Sequence, residues 1–163
     1  METRYTSVYV VEDDPLIRNI LIELIETTGA TVIGYADTAS KAIADIAALR
    51  PDAVTIDLSL KAGSGFDVLK ALAIHSERRP PLRIVLTNAP TDAHRHAARA
   101  LHAEYFFDKA MQMSEMLSVL ASLNNARSDD SQSVIDTHCA RELLPVASGP
   151  SVGPSAPAAR KLA

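Results

Sequence analysis

The sequence predicts a single α/β domain in which five parallel strands are covered by helices on both faces. Short apolar runs alternate five times with amphipathic segments between residues 8 and 123, which is the pattern of a doubly wound parallel sheet. The strongest runs are continuously apolar, as expected of strands that are buried on both faces. The four tyrosines and three phenylalanines all lie before residue 108, so we expect the core to lie there too.

The predicted strands differ in apolar content, and this difference predicts their order in the sheet. Strands one, three and four are the most apolar and should be central, whereas strand two contains Thr31 and Gly34 and should be less buried. The order 2-1-3-4-5 is the simplest arrangement that meets this condition. The strands are predicted at residues 8–11, 31–35, 53–56, 82–86 and 105–107.

Local signals mark the ends of the predicted helices. Asp14 is the expected N-cap of helix one, with Pro15 in the first helical position and Gly29 at the end of the helix. Thr38 is the expected N-cap of helix two, which ends before Pro51. Helix three is predicted from residue 66, helix four over residues 92–100 and helix five over residues 113–120.

The composition excludes several classes of protein. The single cysteine, Cys139, rules out an internal disulfide framework and a cysteine-based zinc site. The net charge of −4 argues against nucleic acid as a direct partner. No apolar run approaches the roughly 20 residues of a membrane helix, and residues 1–4 lack the pattern of a signal peptide. We therefore expect a soluble, cytoplasmic protein without a membrane partner.

The composition of the chain changes after residue 123. Residues 124–163 are rich in proline and serine and contain no aromatic residue. Such a segment buries little apolar surface. We therefore predict one folded domain over residues 1–123 and a low-complexity, mostly disordered tail over residues 124–163. Within that tail, residues 134–146 have a loose helical pattern.

The residues that terminate four of the predicted strands are the candidates for a functional site. Glu12 and Asp13 end strand one, Asp57 ends strand three, Thr87 ends strand four and Lys109 ends strand five. In doubly wound sheets, ligands bind beyond the carboxyl ends of the strands at the point where the strand order reverses. The five side chains should therefore converge at one edge of the sheet.

Crowded carboxylates at that edge point to a cation site. Like charges at short range either raise a pKa or bind a cation, and oxygen ligands without cysteine or clustered histidine favour Mg²⁺ over zinc. Asp14 is assigned to the helix cap instead. The histidines at positions 75, 94, 96 and 102 lack ligand spacing and are predicted to be surface residues.

Four short motifs carry a resemblance to a known family. They are V-V-E-D-D-P after strand one, D-L-S-L-x-x-G-S-G around Asp57, L-T-N at Thr87 and F-F-D-K at Lys109. Each motif alone is weak, but the ordered set, with every motif at a strand end, is specific. Residues 8–123 resemble the receiver domain of bacterial two-component response regulators, in particular the stand-alone, chemotaxis-regulator-like kind. The resemblance implies a flavodoxin-like fold.

The resemblance implies roles for the strand-end residues in phosphorylation. Asp57 would accept a phosphoryl group from a histidine kinase or a histidine phosphotransfer protein. Lys109 would pair with a phosphoryl oxygen, and Thr87 would form a hydrogen bond with another. Phe106 stands at the position of the family's switch aromatic and would turn inward as Thr87 moves.

The resemblance also implies the ligands of the metal ion. Asp13 and Asp57 would bind Mg²⁺ directly, together with the backbone carbonyl of Ser59, and Glu12 would act through a water molecule. The chemistry is consistent with these roles, because Mg²⁺ and a lysine neutralise charge during phosphoryl transfer.

The chain departs from the family pattern at several positions. Ala110 follows Lys109 where the family usually has proline, and we expect a trans peptide bond there. Phe106 lacks the hydroxyl of the commoner tyrosine. Ser59 and Ala89 offer little to orient a hydrolytic water, which predicts slow self-dephosphorylation.

The favoured function is that of a phosphoacceptor that switches contacts with a downstream protein target, not an enzyme acting on other substrates. The resemblance also allows a homodimer that forms on phosphorylation. One alternative is the input half of a transcription factor whose DNA-binding output domain lies outside this sequence. A Mg²⁺-dependent phosphatase is disfavoured, because Ser59 stands where such enzymes carry a second aspartate. A receiver fold kept only for docking is disfavoured by the intact Asp57, Thr87 and Lys109.

Overall fold

The computed structural model of this protein describes residues 5–74 and 79–139, with side chains as far as residue 126. Five parallel strands form one sheet in the order β2-β1-β3-β4-β5. The strands are β1 (Ser7–Val11), β2 (Thr31–Ala36), β3 (Ala53–Ile56), β4 (Leu82–Thr87) and β5 (Tyr105–Asp108). The predicted fold class and strand order are therefore confirmed, and the arrangement is flavodoxin-like.

Five helices alternate with the strands along the chain. They are α1 (Pro15–Glu26), α2 (Ala39–Leu49), α3 (Gly65–Ile74), α4 (Asp92–Ala100) and α5 (Met113–Cys139). No helix among the described residues is both long enough and apolar enough to cross a membrane.

The sheet separates two hydrophobic clusters, because successive side chains of a strand point to opposite faces. Val8 and Val10 belong to the cluster that β1 shares with α1 and α5, where Leu21 and Met116 are buried. On the other face, the core cluster includes the following residues of the sheet, α2, α3 and α4: Tyr9, Val11, Ile46, Val54, Ile56, Leu69, Val85 and Ala98. β2 is an edge strand, and it is only partly buried, as its composition predicted.

The first turns of α1 and α2 are capped differently. Asp14 caps α1 as expected, since its Oδ1 accepts hydrogen bonds from the backbone amides of Leu16 at 2.8 Å and Ile17 at 3.1 Å. Thr38 also lies at the N-cap of α2, but its side chain makes no capping hydrogen bond. Thr38 is therefore the N-cap residue, as expected, but it does not supply the expected capping hydrogen bond.

Helix α5 continues through the position at which the composition changes. It extends to Cys139, well past residue 120, where its apolar pattern predicted the end. Residues 124–139 are thus helical in the structure, whereas the tail was predicted to be mostly disordered; only residues 134–139 agree with the loose helical pattern. Of the loose helical pattern at residues 134–146, the part after residue 139 lies outside the described residues. The proposed domain limit at residue 123 stays a prediction.

Candidate functional site

Backbone hydrogen bonds beyond the strand ends set the positions of the polar side chains. The amide of Glu12 donates to the carbonyl of Ala36 at 2.9 Å, and the amide of Asp57 donates to the carbonyl of Val11 at 2.9 Å. The amide of Lys109 donates to the carbonyl of Thr87, also at 2.9 Å. The parallel ladder thus continues one residue past β1, β3 and β5, so that the three side chains meet at the same edge of the sheet.

Lys109 joins two of the carboxylates at this edge. Its Nζ donates to Glu12 Oε2 at 2.7 Å and to Asp57 Oδ2 at 2.7 Å. All three side chains are buried, with at most 8% of any of them exposed. Lys109 is therefore a buried cation and not a solvated surface charge.

Burial and pairing act in opposite directions on the two ends of this ion pair. Burial raises the pKa of Glu12, and the hydrogen bond from Lys109 offsets only part of that rise. Burial alone would lower the pKa of Lys109, but its hydrogen bonds to Asp57 and Glu12 outweigh burial, so that its pKa is raised. Lys109 is therefore a cation throughout the neutral pH range.

Glu12, Asp13 and Asp57 form an acidic cluster that could hold a metal ion. One carboxylate oxygen from each residue lies within 4.8 Å of the others, and Asp13 is partly open to solvent while the other two are buried. The site contains three carboxyl groups and only one ammonium group, so that acidic side chains outnumber the basic one. Oxygen donors with this excess fit a hard divalent cation such as Mg²⁺.

The loop after β3 is closely packed against the backbone of Asp57. The amide of Ser59 donates to Asp57 Oδ1 at 3.2 Å. A Cβ atom at Gly65 would lie 2.2 Å from the carbonyl oxygen of Asp57, so only glycine fits at the start of α3. Gly63, in the same loop, has a φ of +75°, which glycine adopts without strain. The glycines of the D-L-S-L-x-x-G-S-G motif therefore position the loop next to the buried carboxylate.

Thr87 is the last residue of β4 and is almost fully buried. Its Oγ1 accepts a hydrogen bond from the amide of Ala89 at 3.3 Å. Phe106, on the neighbouring strand β5, is half-buried. The guanidinium carbon of Arg95 lies 4.7 Å from the centre of the Phe106 ring, and Arg95 Nη1 donates to the Phe106 carbonyl at 3.3 Å. Arg95 of α4 therefore covers the Phe106 ring.

The structure thus brings Glu12, Asp13, Asp57 and Lys109 together, with Thr87 at the end of the strand beside Asp57. Two residues with specific contacts were missed by sequence reasoning. His94 was predicted to be a surface residue, yet its ring is half-buried and contacts the backbone of the loop after β4. Arg83 is buried within β4 and donates to the carbonyls of Leu72, Leu101 and His102. The side chains of His94 and Arg83 contact backbone atoms of other segments. Such contacts leave no periodic pattern in the sequence, so sequence reasoning could not find them.

The fold and the acidic edge define the class of protein. A doubly wound five-stranded domain with a lysine paired to a buried aspartate beside two further carboxylates is the arrangement that the resemblance to receiver domains implied. The family model described as the response regulator receiver domain matches residues 8–121. The chain belongs to this family, as the four motifs predicted.

Curated relatives share the receiver region. Residues of this chain are 34% identical over 80 residues to protein-glutamate methylesterase/protein-glutamine glutaminase 3 of Hahella chejuensis, a match that covers 49% of this chain and 22% of that protein. The corresponding protein of Thermotoga maritima is 26% identical over 93 residues, which cover 56% of this chain and 26% of that protein. The chain thus spans about a quarter or less of the length of these relatives.

Solved structures of receiver domains share the fold. The response regulator domain of Thermotoga maritima CheB superposes with a TM-score of 0.64 at 21% identity, over 77% of this chain and 98% of that one. The Vibrio cholerae chemotaxis protein CheY4 superposes with a TM-score of 0.65 at 21% identity, over 72% of this chain and 97% of that one. At these identities the likeness concerns the fold alone.

Proposed function

We propose that this protein accepts a phosphoryl group on Asp57 and thereby switches its contacts with other proteins. The donor is a phosphohistidine on a histidine kinase or on a histidine phosphotransfer protein. The observation that carries the proposal is the buried Asp57 carboxylate, which Lys109 contacts at 2.7 Å within a cluster of two further carboxylates. The proposed role is that of a signalling phosphoacceptor that promotes only its own phosphorylation and dephosphorylation.

In the proposed transfer, an oxygen of Asp57 forms a bond to phosphorus as the bond from phosphorus to the donor imidazole nitrogen breaks. The electron pair of that bond stays on the imidazole nitrogen. Both reactants are negatively charged, so that the reaction needs positive charge at the phosphoryl oxygens. Lys109 supplies one such charge, and its raised pKa keeps it protonated during the reaction.

Mg²⁺ is the proposed cofactor. Asp13 and Asp57 would hold it directly with the backbone carbonyl of Ser59, and Glu12 would act through a water molecule. When bound, the ion neutralises charge on the transferring phosphoryl group. The acidic cluster of the described residues supports this assignment, since it contains more carboxylates than Lys109 can balance.

Thr87 and Phe106 are the proposed switch residues. A phosphoryl group adds about 1.5 to 2 negative charges, which would draw the Thr87 hydroxyl towards Asp57. Moving a two-state equilibrium from 1:99 to 99:1 needs about 5.5 kcal/mol. A new charge-assisted hydrogen bond from Thr87 contributes about 1.5–3 kcal/mol, and the remainder would come from Lys109, which would exchange its contact with Asp57 at 2.7 Å for a stronger one to the phosphoryl group.

An exposed apolar patch near the pocket is the proposed contact for the phosphoryl donor. Leu16 and Ile20 of α1 are 67% and 44% exposed, and Tyr35 of β2 is 48% exposed. Leu16 lies in the first turn of α1, three residues after Asp13 of the acidic cluster. A helical partner that packed on this patch would place its phosphohistidine close to Asp57.

The proposed output is a contact with a protein target, including a second copy of this chain, in the cytoplasm. The contact surface is proposed on α4, β5 and α5. A second candidate is that this domain is the input half of a DNA-binding transcription factor. Only the resemblance of the sequence to response regulators supports this candidate. The methylesterase activity that names the curated relatives is not transferred, because the match covers 22% of the Hahella chejuensis protein.

Phosphorylation by a small donor tests the proposed acceptor directly. The protein is incubated with acetyl phosphate and Mg²⁺, and intact mass is measured. We expect one added phosphoryl group in the wild type and in Asp92→Asn, which alters an exposed carboxylate of α4, but none in Asp57→Asn. Uptake that persists in Asp57→Asn, or that proceeds fully in excess EDTA, would contradict the acceptor or the metal assignment respectively.

A further inference from the structure

We infer that His94 is a positioning residue that couples the Thr87 hydroxyl to helix α4, an inference that rests on the proposed phosphorylation of Asp57. His94 contacts the β4–α4 loop, which comprises residues 88–91. Its ring Nδ1 lies 2.8 Å from the carbonyl oxygen of Ala89. Because a carbonyl oxygen only accepts, Nδ1 carries the proton in this contact.

Two further contacts restrict the position of His94, one at its ring and one at its backbone. Its centre lies 5.8 Å from that of Phe66 in a tilted arrangement, and Phe66 packs against the core cluster that includes α3. The backbone amide of His94 donates to Thr91 Oγ1, the N-cap of α4, at 3.1 Å. The ring is therefore fixed before any ligand binds, and its Nδ1–H points at a defined peptide group.

Ala89 is consequently held at both of its polar backbone groups. Its carbonyl accepts from His94, and its amide donates to Thr87 Oγ1 at 3.3 Å. If the Thr87 hydroxyl turns towards a phosphoryl group on Asp57, the Ala89 amide loses its acceptor unless the loop follows. Since His94 links the loop to α4, movement of the loop is transmitted to the first turn of that helix.

The contact also predicts which side chains can replace histidine at position 94. An asparagine side chain carries an N–H donor at a similar distance from the backbone to histidine Nδ1, whereas alanine carries none. Asparagine should therefore preserve the coupling and alanine should abolish it. His96, on the same helix, is exposed, so that His96→Ala is a matched control for the effect of alanine on the helix.

Amide hydrogen exchange, followed residue by residue by NMR, tests the inference in the unphosphorylated protein. We expect the amide of Ala89 to exchange about fivefold faster in His94→Ala than in the wild type, the factor expected when one ordinary hydrogen bond is lost. His94→Asn and His96→Ala should exchange at rates close to that of the wild type. An unchanged Ala89 rate in His94→Ala, or an equal increase in His96→Ala, would overturn the inference.

The same variants are then phosphorylated with acetyl phosphate and Mg²⁺, with intact mass recording the occupancy of Asp57. We expect phosphorylation to change exchange across residues 92–100 in the wild type and in His94→Asn. In fully phosphorylated His94→Ala, that response should be lost. A response equal to the wild type would overturn the coupling while leaving Asp57 as the acceptor. Absence of phosphoryl uptake by the wild type would instead overturn the proposed function and the coupling with it, while the Ala89 exchange rate still decides whether His94 holds the loop.

Discussion

The side chain of Asn124 accepts a hydrogen bond from the backbone amide of Thr6, which lies 118 positions earlier in the chain. The Asn124 Oδ1 to Thr6 N distance is 3.0 Å. The Nδ2 atom of the same side chain lies where it would be 2.8 Å from a Cβ atom built at Gly29. Asn124 thus packs against the chain before β1 and the turn after α1, although the composition changes at this residue.

Loss of this contact should destabilise the fold. Asn124→Ala leaves the amide of the buried residue Thr6 without its acceptor, and we expect the free energy of unfolding to fall by about 1–2 kcal/mol. Urea denaturation measures the change, with Asn125→Ala, an exposed neighbour, as the control. By the same reasoning, a chain ending at Leu123 should be less stable than one ending at Ala126. Equal midpoints for the two truncated chains would show that the Asn124 contact is unimportant.

Removal of the Lys109 cation should make folding dependent on Mg²⁺. Lys109→Met leaves the buried carboxylates of Glu12 and Asp57 without their partner, and we expect a loss of about 3 kcal/mol in EDTA. Without Lys109 the site is more negative, and Mg²⁺ should bind it only in the folded protein. A Mg²⁺ concentration of one hundred times the Kd should restore about 2.7 kcal/mol of the free energy of unfolding. Thermal unfolding with and without Mg²⁺ measures both quantities.

A matched lysine variant separates this effect from a general one. Lys70 on α3 is exposed and lies 3.8 Å from Asp67. Lys70→Met should change stability by less than about 0.5 kcal/mol, with or without Mg²⁺. If Lys109→Met behaves in the same way, the buried ion pair does not stabilise the domain.

The hydrogen bond between Tyr9 and Asp45 should contribute stability that depends on pH. The buried Tyr9 hydroxyl donates to Asp45 Oδ2 at 2.6 Å. The hydrogen bonds from Lys41 and then from Tyr9 hold the pKa of Asp45 below its ordinary value of 3.8. A lowered carboxyl pKa stabilises the fold above the ordinary value, and this stability is lost as the pH falls through the folded-state pKa.

Tyr9→Phe removes the donor but keeps the ring in the core. At neutral pH we expect it to cost about 1 kcal/mol, and the cost should shrink as the pH falls below 3.8. Urea unfolding at a series of pH values gives the curve, and Tyr5→Phe, at a site 57% exposed, provides the baseline. If the loss in the free energy of unfolding caused by Tyr9→Phe stays the same until Asp45 is fully protonated, the loss comes from altered packing and not from the hydrogen bond to Asp45.

Phosphorylation should change the surface formed by α4, β5 and α5 and should not create DNA binding. Arg95 already links α4 to β5 through the ring and carbonyl of Phe106, so movement of either element should reach the other. Chemical-shift mapping before and after phosphorylation should therefore show the largest changes on these elements, and a gel-shift assay at moderate salt should show no complex. Changes confined to α1 and α2, or binding that resists salt, would contradict the prediction.

The sequence predicted the parts of this structure that depend on local pattern. Apolar runs gave the five strands to within one or two residues, and their relative apolarity gave the order of the sheet. The grouping of Glu12, Asp57 and Lys109 could be predicted because parallel strand ends share an edge. The contacts of His94 and Asn124 could not, because each joins a side chain to a backbone group of another element. The length of α5 also escaped prediction, because residues 124–133 have no apolar periodicity that would join the predicted helix five to the loose helical pattern at residues 134–146.

Arg83 constrains how α4 can move. Its buried guanidinium donates to the carbonyls of Leu101 and His102 at the end of α4 at 3.3 Å each, and to that of Leu72 in α3 at 3.1 Å. The carboxyl end of α4 is thereby attached to the sheet and to its neighbouring helix, whereas its amino end is held through His94 and Arg95. When α4 moves, it should therefore rotate about its carboxyl end at Leu101. The displacement should be largest at Asp92 and smallest at Ala100.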